Sequence, residues 1–279
     1  MELYKYLDLS VGLKVLQTGR IRFSPPQTFN DPFELKPNIA GFAPSDELDS
    51  NMERPPKILE SEYQGLPLFM KESVPYERYV ELTKKMLWPE SDVQTGTQIL
   101  APYLRKALED RLEKIVGILC LTESHENLTM WAHYGDKHQG MVIGFDKTHP
   151  YFQNSDGSTG APCHLKPVIY HGSRPRLTWS GLASEDILLA KGEDWECEKE
   201  WRMFAQLDKA EVEQTKAGPI HLFSYPPESV SKVIIGCRAK PEAVDQVKAA
   251  MASNPNLPRD VLFKATVDHA NYRLNFDQI

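Results

Sequence analysis

ILCLTESHENLTMWAHYGDKHQGMVIGF, residues 118–145, is the stretch on which the reading of this chain turns. It opens with the apolar run Ile118-Leu119-Cys120-Leu121 and closes with a second, Met141-Val142-Ile143-Gly144-Phe145, each short enough for a buried strand. Between them the pattern predicts a short helix starting near Glu126 or Asn127 and ending at Gly135, a residue suited to a left-handed C-terminal position. Trp131, His133, Tyr134, Asp136 and His138 crowd the end of that helix and the loop after it. Aromatic and titratable residues gathered between two core strands are a common setting for a ligand site. The plainer alternative is that Trp131 and Tyr134, three apart on one helical face, are core aromatics and the histidines cap a turn.

Downstream lies a second dense motif, Trp195-Glu196-Cys197-Glu198-Lys199-Glu200-Trp201-Arg202-Met203-Phe204. Trp201, Met203 and Ala205 alternate with Arg202, Phe204 and Gln206, which predicts a strand from about Glu200. On such a strand Glu198, Glu200 and Arg202 share a face. The pairing is either a surface ion pair of less than about 1 kcal/mol or a carboxylate held by its neighbour for chemistry. The flanking tryptophans favour a partly enclosed carboxylate.

Upstream, Leu3–Leu7 has strand composition, and Leu9–Thr18 reads as a helix capped by Ser10 and ended by Gly19. Ile21-Arg22-Phe23 is a short strand broken by Pro25-Pro26. The sequence Phe29-Asn30-Asp31-Pro32-Phe33-Glu34 is strong turn chemistry, with Phe29 and Phe33 expected to pin the turn to the core.

Residues 37–67, polar and proline-rich, are expected to form a loop, followed by helices over Pro75–Leu87 and Thr97–Val116. Past the central stretch the pattern predicts a loop over Tyr151–Gly160, a strand at Pro167–Tyr170 and a short helix over Ser184–Lys191. A strand over Val230–Gly236, a helix over Lys240–Ala252 and a strand over Leu262–Val267 suggest a parallel crossover, with Tyr272–Phe276 as a last edge strand. The fold class expected is α+β: a mixed β-sheet core with flanking helices, residues 1–279 as one elaborated domain and 37–116 as a mainly helical insertion.

The chain has 279 residues, 41% of them hydrophobic, enough for a full core. Its 32 lysines and arginines against 39 acidic residues leave a net charge of −7, which argues against wrapping in nucleic acid by general electrostatics but leaves a local basic groove open. Cys120, Cys163, Cys197 and Cys237 are far apart, with neither zinc-finger spacing nor a disulfide framework. Met1–Ser10 lacks a signal-peptide core and no apolar run approaches about 18 residues, so a cytoplasmic protein without membrane contact is expected. Neither GxGxxG nor GxxxxGK[ST] occurs, which disfavours Rossmann-type and P-loop nucleotide binding.

Four motifs in this order, LYKY, IRFSPPQTFNDPFE, the CLT…EN…MWAHYGDKHQGMVIGFD block and WECEKEWRMF, resemble a widespread bacterial family of unknown function over most of the chain except roughly residues 40–110. A more remote resemblance is to the ADP-ribosyltransferase superfamily, including toxins of the DarT kind. It implies a first-strand contact to NAD at Lys5 or Tyr6, where the superfamily usually has Arg or His. It also implies a second-strand position at Ser24, closing Arg22-Phe23-Ser24, and a late strand opening at Glu200 with Glu198 two before it.

Under that resemblance NAD is a substrate and the acceptor is a nucleic acid or a protein, as for a toxin or phage-defence effector. Cleavage of the nicotinamide–ribose bond passes through an oxocarbenium-like state, which Glu200 would stabilise. Trp131, Tyr134 or Phe29 would stack on nicotinamide or a target base, and His133 would accept a proton. Asn30, Asp31, His138 and Arg202 complete the expected site, and no metal is called for.

Two other readings stand beside it. A metal-dependent nuclease or phosphodiesterase would draw on Asp31, Glu34, His133, Asp136, His138, Glu198 and Glu200. A non-catalytic binding module of a defence system would use the same motifs only to shape its core.

Overall fold

The computed structural model describes residues 1–36, 38–41, 56–65, 71, 75–84, 105–157, 161–178 and 186–279. The chain is α+β and falls into two compact units: Met1–Phe29, Ile115–Val168 and Asp194–Ile279 form the first, Asn30–Lys114 and Ile169–Glu193 the second. In chain order the strands are β1 (Glu2–Leu7), β2 (Arg20–Phe23), β3 (Asn38–Gly41), β4 (Val116–Thr122), β5 (Met141–Asp146), β6 (Cys163–Pro167), β7 (Ile169–His171) and β8 (Arg176–Thr178). They continue with β9 (Ala190–Gly192), β10 (Glu200–Gln206), β11 (Glu211–Thr215), β12 (Gly218–Ser224), β13 (Val230–Ile235), β14 (Leu262–Val267) and β15 (Leu274–Gln278).

In the first unit eight strands form a mixed sheet in the order β15-β14-β13-β5-β1-β4-β10-β6. Its pairs are antiparallel except β13 with β14, whose parallel register needs the crossover that the helix Glu242–Ser253 supplies. That helix buries Ala243, Val247, Ala250 and Met251, a stripe at steps of three and four.

Alternation along the strands divides the core in two. Leu3, Leu119, Leu121, Ile143, Phe145, Met203, Val233 and Ile235 meet Val15, Leu16 and the crossover helix on one face. Tyr4, Tyr6, Val142 and Ile234 meet Met130 and Trp131 on the other. A second sheet in the same unit runs β11-β12-β2.

The large sheet is irregular where β1 meets β4, which share a single pair, Tyr4 opposite Thr122. Further along β4 the neighbour is Ser24, which exchanges two backbone hydrogen bonds of 2.9 Å with Ile118. Between these contacts the Lys5 ammonium donates to the Cys120 carbonyl at 2.9 Å. A side chain thus satisfies a carbonyl that a continuous ladder would bind through backbone.

In the second unit β3 pairs with β8 and β7 with β9, both in parallel. Helices span Pro56–Gly65, Tyr76–Lys84 and 105–115. Tyr63 packs its ring on Tyr76 and Tyr79, with centroids 5.1 and 5.4 Å apart.

Several sequence expectations are corrected. The 37–67 segment, expected as loop, contains β3 and the helix Pro56–Gly65, because Leu59 and Tyr63 are both buried one turn apart behind a proline at the first position. The helix expected over Pro75–Leu87 is Tyr76–Lys84, with 85–87 outside the described residues. Of the helix expected over Thr97–Val116, residues 105–115 are helical, Val116 already begins β4, and 97–104 lie outside the described residues. Of the expected Ser184–Lys191 helix only Asp186–Leu189 is helical; 184 and 185 are not described, and Ala190 and Lys191 turn into β9.

Asp8, not Ser10, occupies the cap of the Leu9–Thr18 helix, while Gly19 closes it in the left-handed conformation as expected. Phe33 is 60% exposed and does not pin its turn to the core. The last strand is Leu274–Gln278, two residues later than expected, which leaves Tyr272 fully in solvent. Among the described residues no helix is long and apolar enough to cross a membrane.

Candidate functional site

β4 organises the polar side of the first unit. Its register sets Thr122 opposite Glu200 and Cys120 opposite Arg202 on β10, and directly opposed residues of an antiparallel pair point to the same face. On its other side β4 meets Tyr4, the Lys5 ammonium and Ser24. Lys5, Ser24 and the Glu200–Arg202 pair, far apart in sequence, therefore all neighbour Ile118–Thr122.

Glu200 and Arg202 form a buried ion pair. The Arg202 guanidinium donates through Nε to Glu200 Oε1 at 2.9 Å and through Nη2 to Oε2 at 3.4 Å, with the arginine fully buried and the glutamate 5% exposed. Enclosure settles the choice left open by spacing: this is not a solvated surface pair. The Phe29 ring lies 5.6 Å from the guanidinium carbon, within cation–π range.

Glu198 does not continue the strand, contrary to the expectation that it shares a strand face with Glu200 and Arg202. It closes a 3-10 turn, Glu193–Glu198, and Lys199 after it takes φ +45°, a left-handed conformation rare for a residue with a side chain. Buried Glu198 accepts the Tyr134 hydroxyl on Oε1 at 2.8 Å, and its carbonyl accepts the Thr122 hydroxyl at 2.6 Å.

The helix supplying Tyr134 is shorter than expected, Leu128–His133, with Asn127 as its cap: Asn127 Oδ1 accepts from the Thr129 and Met130 backbone at 2.9 and 3.1 Å. Gly135 is not left-handed. The left-handed residues are Asp136, Lys137 and His138, and Gly135 is needed because a Cβ there would sit 2.8 Å from the Trp131 ring and 2.9 Å from its carbonyl oxygen.

Trp131 is wholly buried. Its indole N–H donates to the His125 carbonyl at 2.8 Å, and Tyr6 stands edge-on to it at 5.3 Å, so Trp131 follows the core-aromatic alternative and its ring is enclosed by the protein. Tyr6 donates its hydroxyl to the Ser124 carbonyl at 3.0 Å, and burial pushes that hydroxyl well above the usual tyrosine range. His133 is exposed, its ring 6.3 Å from that of Tyr134.

His138 stacks parallel to Trp131 at 6.2 Å, and its Nδ1 finds no hydrogen-bond partner among the described residues. Burial and the Arg238 charge hold its imidazole below the usual histidine range. Asp136 and Arg22 are exposed.

Asn30, Asp31 and Glu34 belong to the second unit. There Asp31 is buried and accepts the Phe33 backbone N–H at 2.8 Å, the turn bond its sequence predicts, while Asn30 is exposed. Glu34 is buried with the Lys191 ammonium 3.9 Å from its carboxylate.

Thr122 and Asn127 were not singled out from sequence. The spacing of Asn127 before an apolar helix signals a cap; nothing local signals that both reach the Glu193–Glu198 turn. Among the described residues no group of three or more His, Cys, Asp or Glu could hold a metal ion.

No curated protein and no solved structure matches the chain. Residues 130–203, which hold Tyr134, Glu198 and Glu200 but not Lys5 or Ser24, match the model of a family described as a protein of unknown function, DUF2971.

Proposed function

We propose that the chain is an NAD-consuming enzyme of the ADP-ribosyltransferase kind, working beside β4 on the face that carries Thr122, Glu200 and Arg202. The observation that carries this reading is the convergence on one strand of the positions the resemblance singles out. Ser24 bridges Ile118 and Glu200 stands opposite Thr122 on one face of β4, while Lys5, opposite Ile143 on β5, reaches the Cys120 carbonyl from the other.

In the reaction the bond between the nicotinamide nitrogen and the ribose C1′ breaks, and the electron pair leaves with nicotinamide. Positive charge develops on C1′ and the ring oxygen. Glu200, oriented by Arg202, stabilises that charge or binds a ribose hydroxyl. The Phe29 ring lies beside the Arg202 guanidinium, and the half-buried Tyr134 bonds Glu198. The acceptor, a nucleic-acid or protein nucleophile, adds to C1′ and yields its proton to a base, for which exposed His133 and Glu198 are the candidates. Activity on such an acceptor suits a cytoplasmic toxin or defence effector.

The test is thermal melting in chelator with and without millimolar NAD, on wild type, Ser24→Ala and Glu200→Gln, followed by nicotinamide release. Saturation at about one hundred times the Kd stabilises by about 2.7 kcal/mol. A shift in wild type that both variants lose, with nicotinamide released only by wild type, supports the reading. No NAD shift, with stabilisation by manganese once chelator is removed, points instead to metal-dependent phosphodiester chemistry. Silence in both sinks the enzyme readings in favour of a binding module.

A further inference from the structure

Three side chains, one from the end of β4 and two from the segment after it, end on one short turn. Asn127 Nδ2 donates to the Cys197 carbonyl at 2.8 Å, Thr122 Oγ1 to the Glu198 carbonyl at 2.6 Å, and Tyr134 Oη to Glu198 Oε1 at 2.8 Å. The turn leads through left-handed Lys199 into Glu200, so its placement sets both carboxylates. A left-handed lysine persists only where its surroundings over-determine it. Here Lys199 N–H donates to the Glu196 carbonyl at 3.1 Å, and Glu123 N–H donates to the Lys199 carbonyl at 3.2 Å.

Asn127 is the member of this set that also caps a helix. Its Oδ1 accepts the Thr129 and Met130 N–H groups and so fixes the plane of the amide. With the oxygen committed to the helix, the nitrogen faces Cys197. The two ends of one amide therefore join the helix that leads into Tyr134 to the turn that carries Glu198. Neither oxygen-only caps nor shorter side chains can do both.

We infer that Asn127 is a positioning residue for the Glu198–Glu200 pair, acting through the Glu193–Glu198 turn. The inference rests on the reading that these carboxylates act on a bound ligand, and it concerns a residue that touches neither carboxylate.

Two substitutions separate its roles. Asn127→Asp keeps an equally good cap but sets an oxygen against the Cys197 carbonyl, and Asn127→Ser keeps a cap with too short a reach for the turn. Amide hydrogen exchange without ligand is read over 193–200 and over the helix Leu128–His133, beside kcat and KM for NAD. In both variants the helix is expected to keep its protection while the turn exchanges about tenfold faster. The kcat is expected to fall about tenfold to a hundredfold with little change in KM.

Wild-type exchange at the turn in both variants overturns the inference, and so does faster exchange with unaltered kcat. Loss of helix protection in both variants would reduce Asn127 to a helix cap and equally overturn it. A wild type that leaves NAD unconsumed fails the enzyme reading alone; the exchange arm then decides whether Asn127 holds the turn.

Discussion

Tyr134 donates its hydroxyl to Glu198 Oε1 at 2.8 Å across 64 residues of sequence, joining the end of the central helix to the turn before β10. The bond brings together the two motifs that looked most chemical in the sequence. It also makes Tyr134 a holder of a carboxylate rather than only an aromatic face.

Tyr134→Phe removes that hydroxyl and leaves the buried Glu198 oxygen with one donor fewer. Loss of a donor to a buried acceptor costs about 1–3 kcal/mol. Urea denaturation should show this loss with an unchanged slope; a stability equal to wild type would mean the bond contributes nothing.

Glu200→Gln and Arg202→Met each strand the other member of a buried pair, at about 3–5 kcal/mol. The double variant should be markedly more stable than the sum of the two losses implies. Additive losses in the double-mutant cycle would show that the groups are not energetically coupled.

His125 predicts a pH dependence. Its ring lies between Tyr4 and Phe276, 4.7 Å from each. Burial, then the Lys232 charge, hold its imidazole below the usual histidine range, against the smaller opposing pull of Glu126 and Glu2. The unfolded chain, with a histidine value of about 6.5, takes up its proton first. Stability from this group is therefore full above about pH 6.5 and is lost as pH falls from there toward the depressed folded value. His125→Phe should flatten that part of the melting-temperature profile relative to wild type, and an unchanged profile would assign the effect to another group.

Gly140→Ala should be poorly tolerated, because its Cβ would lie 2.2 Å from the Leu7 carbonyl and 3.0 Å from that of Gly135, both backbone. Overpacking of this kind costs about 3 kcal/mol. A melting temperature equal to wild type would show that the turn relaxes.

Most of the first unit's frame was legible in the sequence because its signals are local. β10 begins at Glu200 and β14 spans Leu262–Val267 as alternation and flanking breaks predict, and the crossover helix follows Pro241. The helix at Pro56 was missed because its apolar stripe is thin, Leu59 and Tyr63 in a polar surround. Gly135 was misread since two unrelated needs call for glycine, a positive φ and a close approach, and only the Trp131 contact tells them apart.

By itself, then, the sequence determined the α+β class, most strands of the large sheet and which residues are candidates for chemistry, since periodicity and side-chain type are properties of neighbouring positions. The tertiary structure alone decided that Trp131 is core, that Glu200 and Arg202 are enclosed together, and that Lys5, Ser24 and Glu200 all neighbour β4 while Asn30 and Asp31 fall in another unit. Those facts depend on strand order and register, β1 beside β4 beside β10, which join segments far apart in the chain and leave no mark in local sequence.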